Sequence, residues 1–505
     1  MDRRRFLRTL LSGATVAALG PALLRGGDAL AGDPAEFAAG LRERPYLAGW
    51  RQVAAEAFGP TTVQLEGRLP ADFAGTLYRN GPAWFERDGV RYEHWFDGDG
   101  MVHGWQFGNG AVTHRGRMVQ TPKFQREQRA GRFNTRAAGT TIAEPVAIRN
   151  NDDANTANTS VVTIGGRLFA LYEGGSAFEL DPDELATVGP TTWRRDLQAL
   201  PFSAHPLRDR DGSWWNFGAL SLMGGGGLLL WHIGADARLI DAHVHPLDAP
   251  GYLHAFAQTD RYLVFLLTPF DRTAGGSFFE SMAFAPQRPC TALVIDKTAP
   301  ERVMRRFEVD FAAIYHFGDA FERGSELIVR AAHHDDVEHA RSPHRAAMFG
   351  HAGAASPAQL AELRLDLRAG RARWHMLGVP GMEFPLFDAR TAGDHGARLY
   401  MPTTVGEASA PYFNAVQMID AAGDTRAVHR YGRDIMAEEH VFVPRPGSTR
   451  PDDGWLVGTL LDHARDRSGI AVLDAQHVED GPLATAWLPY TFPLGFHGHF
   501  AQAAA

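Results

Sequence analysis

Near the end of this 505-residue chain the segment PLGFHGHF (residues 493–500) places His497 and His499 two apart. In a strand, residues i and i+2 share a face, so both imidazoles can in principle reach one metal ion. Two surface histidines on a chain end are the plainer alternative. Three further histidines stand in partly apolar segments, His205 in FSAHPL, His254 in GYLHAF and His316 in IYHFGDAFE. Converging imidazoles suit iron, zinc, copper or nickel. Acids stand at a comparable phase: Glu383 in GMEFP, Glu439 in AEEHVFV and, one strand earlier, Glu173 in ALYEGG. A carboxylate that accepts the second ring N–H of a ligating histidine fixes its tautomer and orientation. A structural ion pair is the other use of each acid.

Denser polar clusters read as less informative. HHDDVEH (333–339) follows the strand ELIVRAA and is expected to be a solvated loop. HVH (243–245) reads as an outer hairpin. FDGDGMVH (96–103) lacks the third acid and distal glutamate of an EF-hand and reads as a Gly-punctuated turn.

What must position the histidines is legible as a period. Apolar alternations closed by aspartate end at Asp181, Asp241, Asp296, Asp366, Asp420 and Asp474, about 60 residues apart, with a looser match ending at Gly108. Self-similarity of this kind marks a repeat fold. Within one unit, VVTIGGRLFALYEGGSAFELD (161–181) reads as three strands joined by Gly-Gly turns. Seven such antiparallel units predict an all-β, seven-bladed propeller spanning 32–505 as one domain. On this ruler the strand after each marker opens the next blade beside the axis. His205, His254, His316 and His497 then meet there.

The N-terminus has a different use. Arg3, Arg4 and Arg5 precede Phe6, Leu7 and a mildly apolar stretch, and ALA (29–31) supplies a small-x-small cleavage pattern. Residues 1–31 read as an export signal of the twin-arginine type, which predicts a periplasmic protein. With a single cysteine, Cys290, disulfides within the chain and cysteine-based metal sites are excluded. A formal charge of −9, with no basic run after the signal, argues against nucleic acid.

Together these segments resemble the carotenoid cleavage oxygenase family, which includes apocarotenoid- and stilbene-cleaving members. GTLYRNGPAWF (75–85) and HWFDGDGMVHGWQF (94–107) are similar to its N-terminal signature. AHP…NFG (204–218), LHAFAQTDRYLVFLLTPF (253–270), YHFGDAFERG (315–324) and GFHGHF (495–500) resemble its ligand segments in order. The resemblance implies a helical dome over one propeller face and ferrous iron held by His205, His254, His316 and His497. It also implies that Glu173, Glu383 and Glu439 each bond a ligand ring, and that His499 is a neighbour.

The implied activity is oxidative cleavage of a conjugated C=C bond of a carotenoid or apocarotenoid by O2, giving two carbonyl products. A stilbenoid substrate is the alternative. Tyr92 and Lys123 match positions that contact the phenol in stilbene-cleaving relatives, although Lys123 in VQTPKF also reads as an exposed lysine at a strand end. A non-catalytic binding propeller or a metal-dependent hydrolase or lactonase is the alternative of another class. SLMGGGGLLLW (221–231) and GGSFFESMAFAP (275–286) read as loops at an apolar entrance in contact with a membrane, with core packing as the other reading.

Overall fold

Seven antiparallel sheets follow one another along the chain and form the blades of a propeller. The computed structural model describes residues 32–503 apart from 109, 221–225, 274–275, 339–340, 354–356, 395 and 424. The expected export signal at 1–31 lies outside the described residues. The first sheet runs Ala57–Gln64, Ala111–Met118, Asp99–Gly108, Gly75–Trp84 and His497–Gln502, so the last strand of the chain closes the ring on one of the first. Ser160–Ile164 and Leu207–Arg208 open the second and third sheets. Ala313–Arg323 and Ile435–Pro444 open the fifth and seventh.

The aspartate period is real, with two corrections. Asp296, Asp366 and Asp474 end the third strand of their blades, Asp181 directly follows it, and Asp420 directly follows Ala415–Ile419, the middle strand of a three-stranded sheet. Asp241 instead lies inside the outermost strand Leu239–Pro246. The strand after a marker is also not the next inner strand. A perimeter strand such as Thr187–Pro190 or Arg371–Pro380 intervenes, because each blade is completed by an outer edge before the chain returns to the axis.

Local chemistry accounts for the turns. Gly165 and Gly166, with φ of 59° and 76°, join Ser160–Ile164 to Arg167–Leu171 in the left-handed geometry a tight hairpin requires. The core lies between blades. Trp215, Phe217, Leu228 and Leu230 of the third sheet pack on Leu263, Phe265, Leu293 and Ile295 of the fourth. Residues 227–231 of the glycine-rich segment are therefore core strand rather than entrance loop, and its residues 221–225 lie outside the described ones.

Helices Pro34–Glu43, Pro122–Ala130 and Ser342–Met348, with the loops around them, form the dome over one face. Phe37, Trp50, Trp95, Met348 and Phe496 share one apolar cluster there. Helix Pro122–Ala130 starts where the Thr121 hydroxyl accepts the Phe124 N–H at 3.1 Å and stops at Gly131, with φ of 66°. Lys123 sits on its buried face, not exposed at a strand end.

Candidate metal centre

Distortions of the inner strands bring the predicted histidines together. Across the pairs Tyr252–Thr268 and Ala257–Val264, residues 253–256 face 265–267, and His254 lies in the excess. Register also slips between Ile314 and Phe317, at His316, and between Ala437 and His440, at Glu439. Such bulges re-aim side chains that a regular strand would send elsewhere. His205 precedes the short strand Leu207–Arg208, where Ser203 bonds the Asn216 amide oxygen at 2.6 Å and accepts the His205 N–H at 3.3 Å. His497 opens the closing strand opposite Asn80.

His205, His254, His316 and His497 each offer one nitrogen, and these atoms lie within 4.8 Å of one another. His205 Nε2 is 2.9 Å from His254 Nε2, and His316 Nε2 is 3.2 Å from His497 Nε2. The outward nitrogens meet the predicted acids. His254 Nδ1 is 2.9 Å from Glu173, His316 Nδ1 2.6 Å from Glu383, and His497 Nδ1 2.9 Å from Glu439. Among the described residues, no carboxylate reaches the outer nitrogen of His205.

This arrangement fits a divalent first-row metal. Glu383 and Glu439 hold the protons of His316 and His497 on Nδ1, which leaves two Nε2 lone pairs facing each other. Two acceptors at that distance repel unless a cation stands between them. Adjacent ligands of an octahedral ion with metal–nitrogen bonds of about 2.1 Å would be separated by about 3.0 Å, close to the spacings seen. Burial holds His205 well below its ordinary value and lowers His316 to about 4, so both rings are neutral donors.

His499 lies outside this group. Its Nε2 is 2.6 Å from the Thr163 hydroxyl. Tyr92 and Lys123 are brought together, 2.8 Å apart, but inside a buried ionic cluster. Lys123 Nζ also donates to Asp99 at 2.7 Å and Glu127 at 3.0 Å, which uses all three of its protons. FDGDGMVH is a turn only as far as Gly98, and Asp99 then starts a strand.

HHDDVEH is corrected at its first two residues only. His333 and His334 continue strand Glu326–His334 and are buried, and His334 Nε2 is 2.8 Å from Glu383. Ending that strand at its first polar residue hid this contact. Sequence reasoning also missed Tyr252, Arg79 and Phe384. Tyr252 donates to Glu173 at 3.2 Å and Arg79 to Glu439 at 3.0 Å. Phe384 adopts a left-handed backbone, φ 51°, and its ring centroid is 4.7 Å from that of His316 and 5.2 Å from that of His497. The two missed groups that meet Glu173 and Glu439 lie in quoted signature or ligand-bearing segments, but no spacing in the sequence marks them.

Residues 50–502 match the family described as retinal pigment epithelial membrane protein. The chain is 28% identical over 460 residues to the apocarotenoid-15,15'-oxygenase of Synechocystis sp., covering 87% of this chain and 92% of that one. It is 27% identical over 474 residues to the lignostilbene-alpha,beta-dioxygenase isozyme III of Sphingomonas paucimobilis, covering 87% and 94%. The solved structure of cobalt-substituted Synechocystis ACO is similar with a TM-score of 0.81 at 26% identity, covering 91% of this chain and 98% of that one.

Proposed function

This chain belongs to the family of the retinal pigment epithelial membrane protein and the carotenoid-, apocarotenoid- and stilbenoid-cleaving oxygenases, and on that premise we propose that it is an iron(II) dioxygenase acting on a carotenoid or apocarotenoid. The observation that carries this reading is the meeting of four imidazoles on the propeller axis, three of them backed by carboxylates. His205, His254, His316 and His497 would hold iron(II), which supplies the reactivity toward O2. In the net reaction the two atoms of O2 are divided between the carbons of one C=C bond, and each carbon leaves as a carbonyl.

That reaction moves no proton, and the chain's contribution is geometry. Glu173, Glu383 and Glu439 orient three rings, and Phe384 packs against two of them. Tyr252 stays protonated as a donor to Glu173, since burial and then Glu173 itself push its phenol well above the ordinary value. Saturation of Lys123 by Tyr92, Asp99 and Glu127 favours the polyene over a phenolic stilbenoid, because no proton of the lysine is left for a phenol.

The test is incubation of iron-loaded protein with an apocarotenal and with a hydroxystilbene under 18O2, products being identified by mass. Two labelled carbonyl products from the apocarotenal are expected. Cleavage of the stilbene alone would move the assignment to stilbenoids. Binding without cleavage, or hydrolysis of a lactone, would place the chain in the alternative class. The proposal includes export by residues 1–31 to the periplasm and peripheral membrane contact through residues 276–286.

A further inference from the structure

Behind the three carboxylates stand three different groups. Glu173 meets the Tyr252 hydroxyl at 3.2 Å, Glu383 meets His334 at 2.8 Å, and Glu439 meets Arg79 at 3.0 Å. Of these only Arg79 brings a permanent charge. It is 1% exposed, and its bond from Nη1 to Glu439 is its one side-chain hydrogen bond among the described residues. Its Nη2 stands 3.8 Å from Glu438.

Other buried arginines are used differently. Arg91 reaches the carbonyls of Trp50 and Met348 as well as Glu86, and Arg330 reaches those of Ala397 and Asp420 as well as Asp319. Those two tie the fold together through several backbone groups. Arg79 is instead committed to the acid that holds His497. It lies across from Gly498 in the strand pair, and a Cβ on Gly495 or Gly498 would come 3.1 Å from its Cγ or 3.4 Å from its Nη1. Gly495 thus leaves room for the stem of the arginine, while Gly498 is at ordinary contact distance from its guanidinium.

We infer that Arg79 is a positioning residue of the metal centre: it fixes Glu439 and, through it, orients His497. Its charge-assisted bond occupies Glu439 Oε2 and leaves Oε1 to the imidazole. This inference rests on the four-histidine reading of the site.

The test uses cobalt(II) as probe, with bound metal, dissociation constant and visible d–d absorption measured on the full chain. Arg79→Gln alone strands two buried acids, so Glu438→Gln serves as background and Arg79→Gln/Glu438→Gln keeps the local charge unchanged. Relative to the wild type, whose local charge the double variant keeps, binding about 10–100-fold weaker and shifted cobalt bands are expected, with Glu438→Gln alone close to the wild type. Adding Glu439→Gln should abolish the effect of Arg79→Gln, since its route is then gone. Arg79→Lys keeps the charge without the planar fork and should show a smaller shift and loss; it carries the test if the glutamine variant does not fold. Unchanged affinity and bands in the folded variant, or an undiminished effect in the Glu439→Gln background, overturns the inference. Failure of the wild-type chain to take up cobalt overturns the four-histidine reading instead.

Discussion

Two histidines of one strand have separate fates, and each residue makes a distinct prediction. His497→Ala removes one of four converging nitrogens and leaves Glu439 without its imidazole, so iron per protein should fall to near zero by elemental analysis. His499→Ala breaks only the bond to Thr163 and should keep the iron at a cost of about 1 kcal/mol in stability. Iron lost from the second variant and kept by the first would invert the assignment. Phe384 gives a second prediction. A left-handed backbone costs an L-residue about 1 kcal/mol that glycine avoids. With the ring gone in both, Phe384→Gly should therefore unfold at higher denaturant than Phe384→Ala, and the reverse order would show that the backbone at φ 51° is not strained.

The closing blade is built to lose stability in acid. His103 and His114 face each other across neighbouring strands at 3.1 Å, and His114 reaches the Tyr490 hydroxyl at 2.8 Å. Burial, with Arg79 adding to it, lowers His103 to about 3, and burial holds His114 well below its usual value. The unfolded chain titrates these rings near pH 6.5, so below that pH it binds more protons than the fold and stability falls as pH drops. From pH 7.5 to pH 5 the loss from His103 alone should be about 2 kcal/mol. Urea midpoints at the two pH values check this. In His103→Asn the pH dependence should shrink by that amount, and an unchanged dependence would show that His103 titrates alike in the folded and unfolded chains.

At the scale of the whole molecule the proposal concerns where it works and what it touches. Replacing Arg3 and Arg4 with lysine should leave the chain in the cytoplasm, because a twin-arginine address is read by a receptor rather than by charge alone. Undiminished export would reject that address. Among the described residues no helix is long and apolar enough to cross a membrane. Residues 276–286 are the proposed point of peripheral membrane contact. Phe279 packs edge-on against His94 and Phe96, whereas the contacts of Phe278 are with Phe279 and Arg272. Phe278→Glu should weaken liposome co-sedimentation while leaving the unfolding midpoint unchanged, and equal co-sedimentation would remove this segment from the interface.

What the sequence by itself determined was the repeat, the strand chemistry and the short set of imidazoles and acids, because alternation, glycine turns and residue type act locally. His205, His254, His316 and His497 could be chosen from 22 histidines on those grounds, with the family resemblance beside them. Which acid meets which ring was not legible. Glu438 and Glu439 are neighbours in AEEHVFV, and only the slipped register between Ala437 and His440 places Glu439 on His497 while Glu438 takes the Gly495 N–H. The burial of Lys123 and of His333 and His334 at the start of HHDDVEH was misread for a related reason. A polar side chain looks solvated until partners distant in sequence surround it, as Asp99 does for Lys123 and Glu383 for His334. Register and long-range pairing depend on how one blade's distortions meet another's at the axis, and only the tertiary structure brings those strands together.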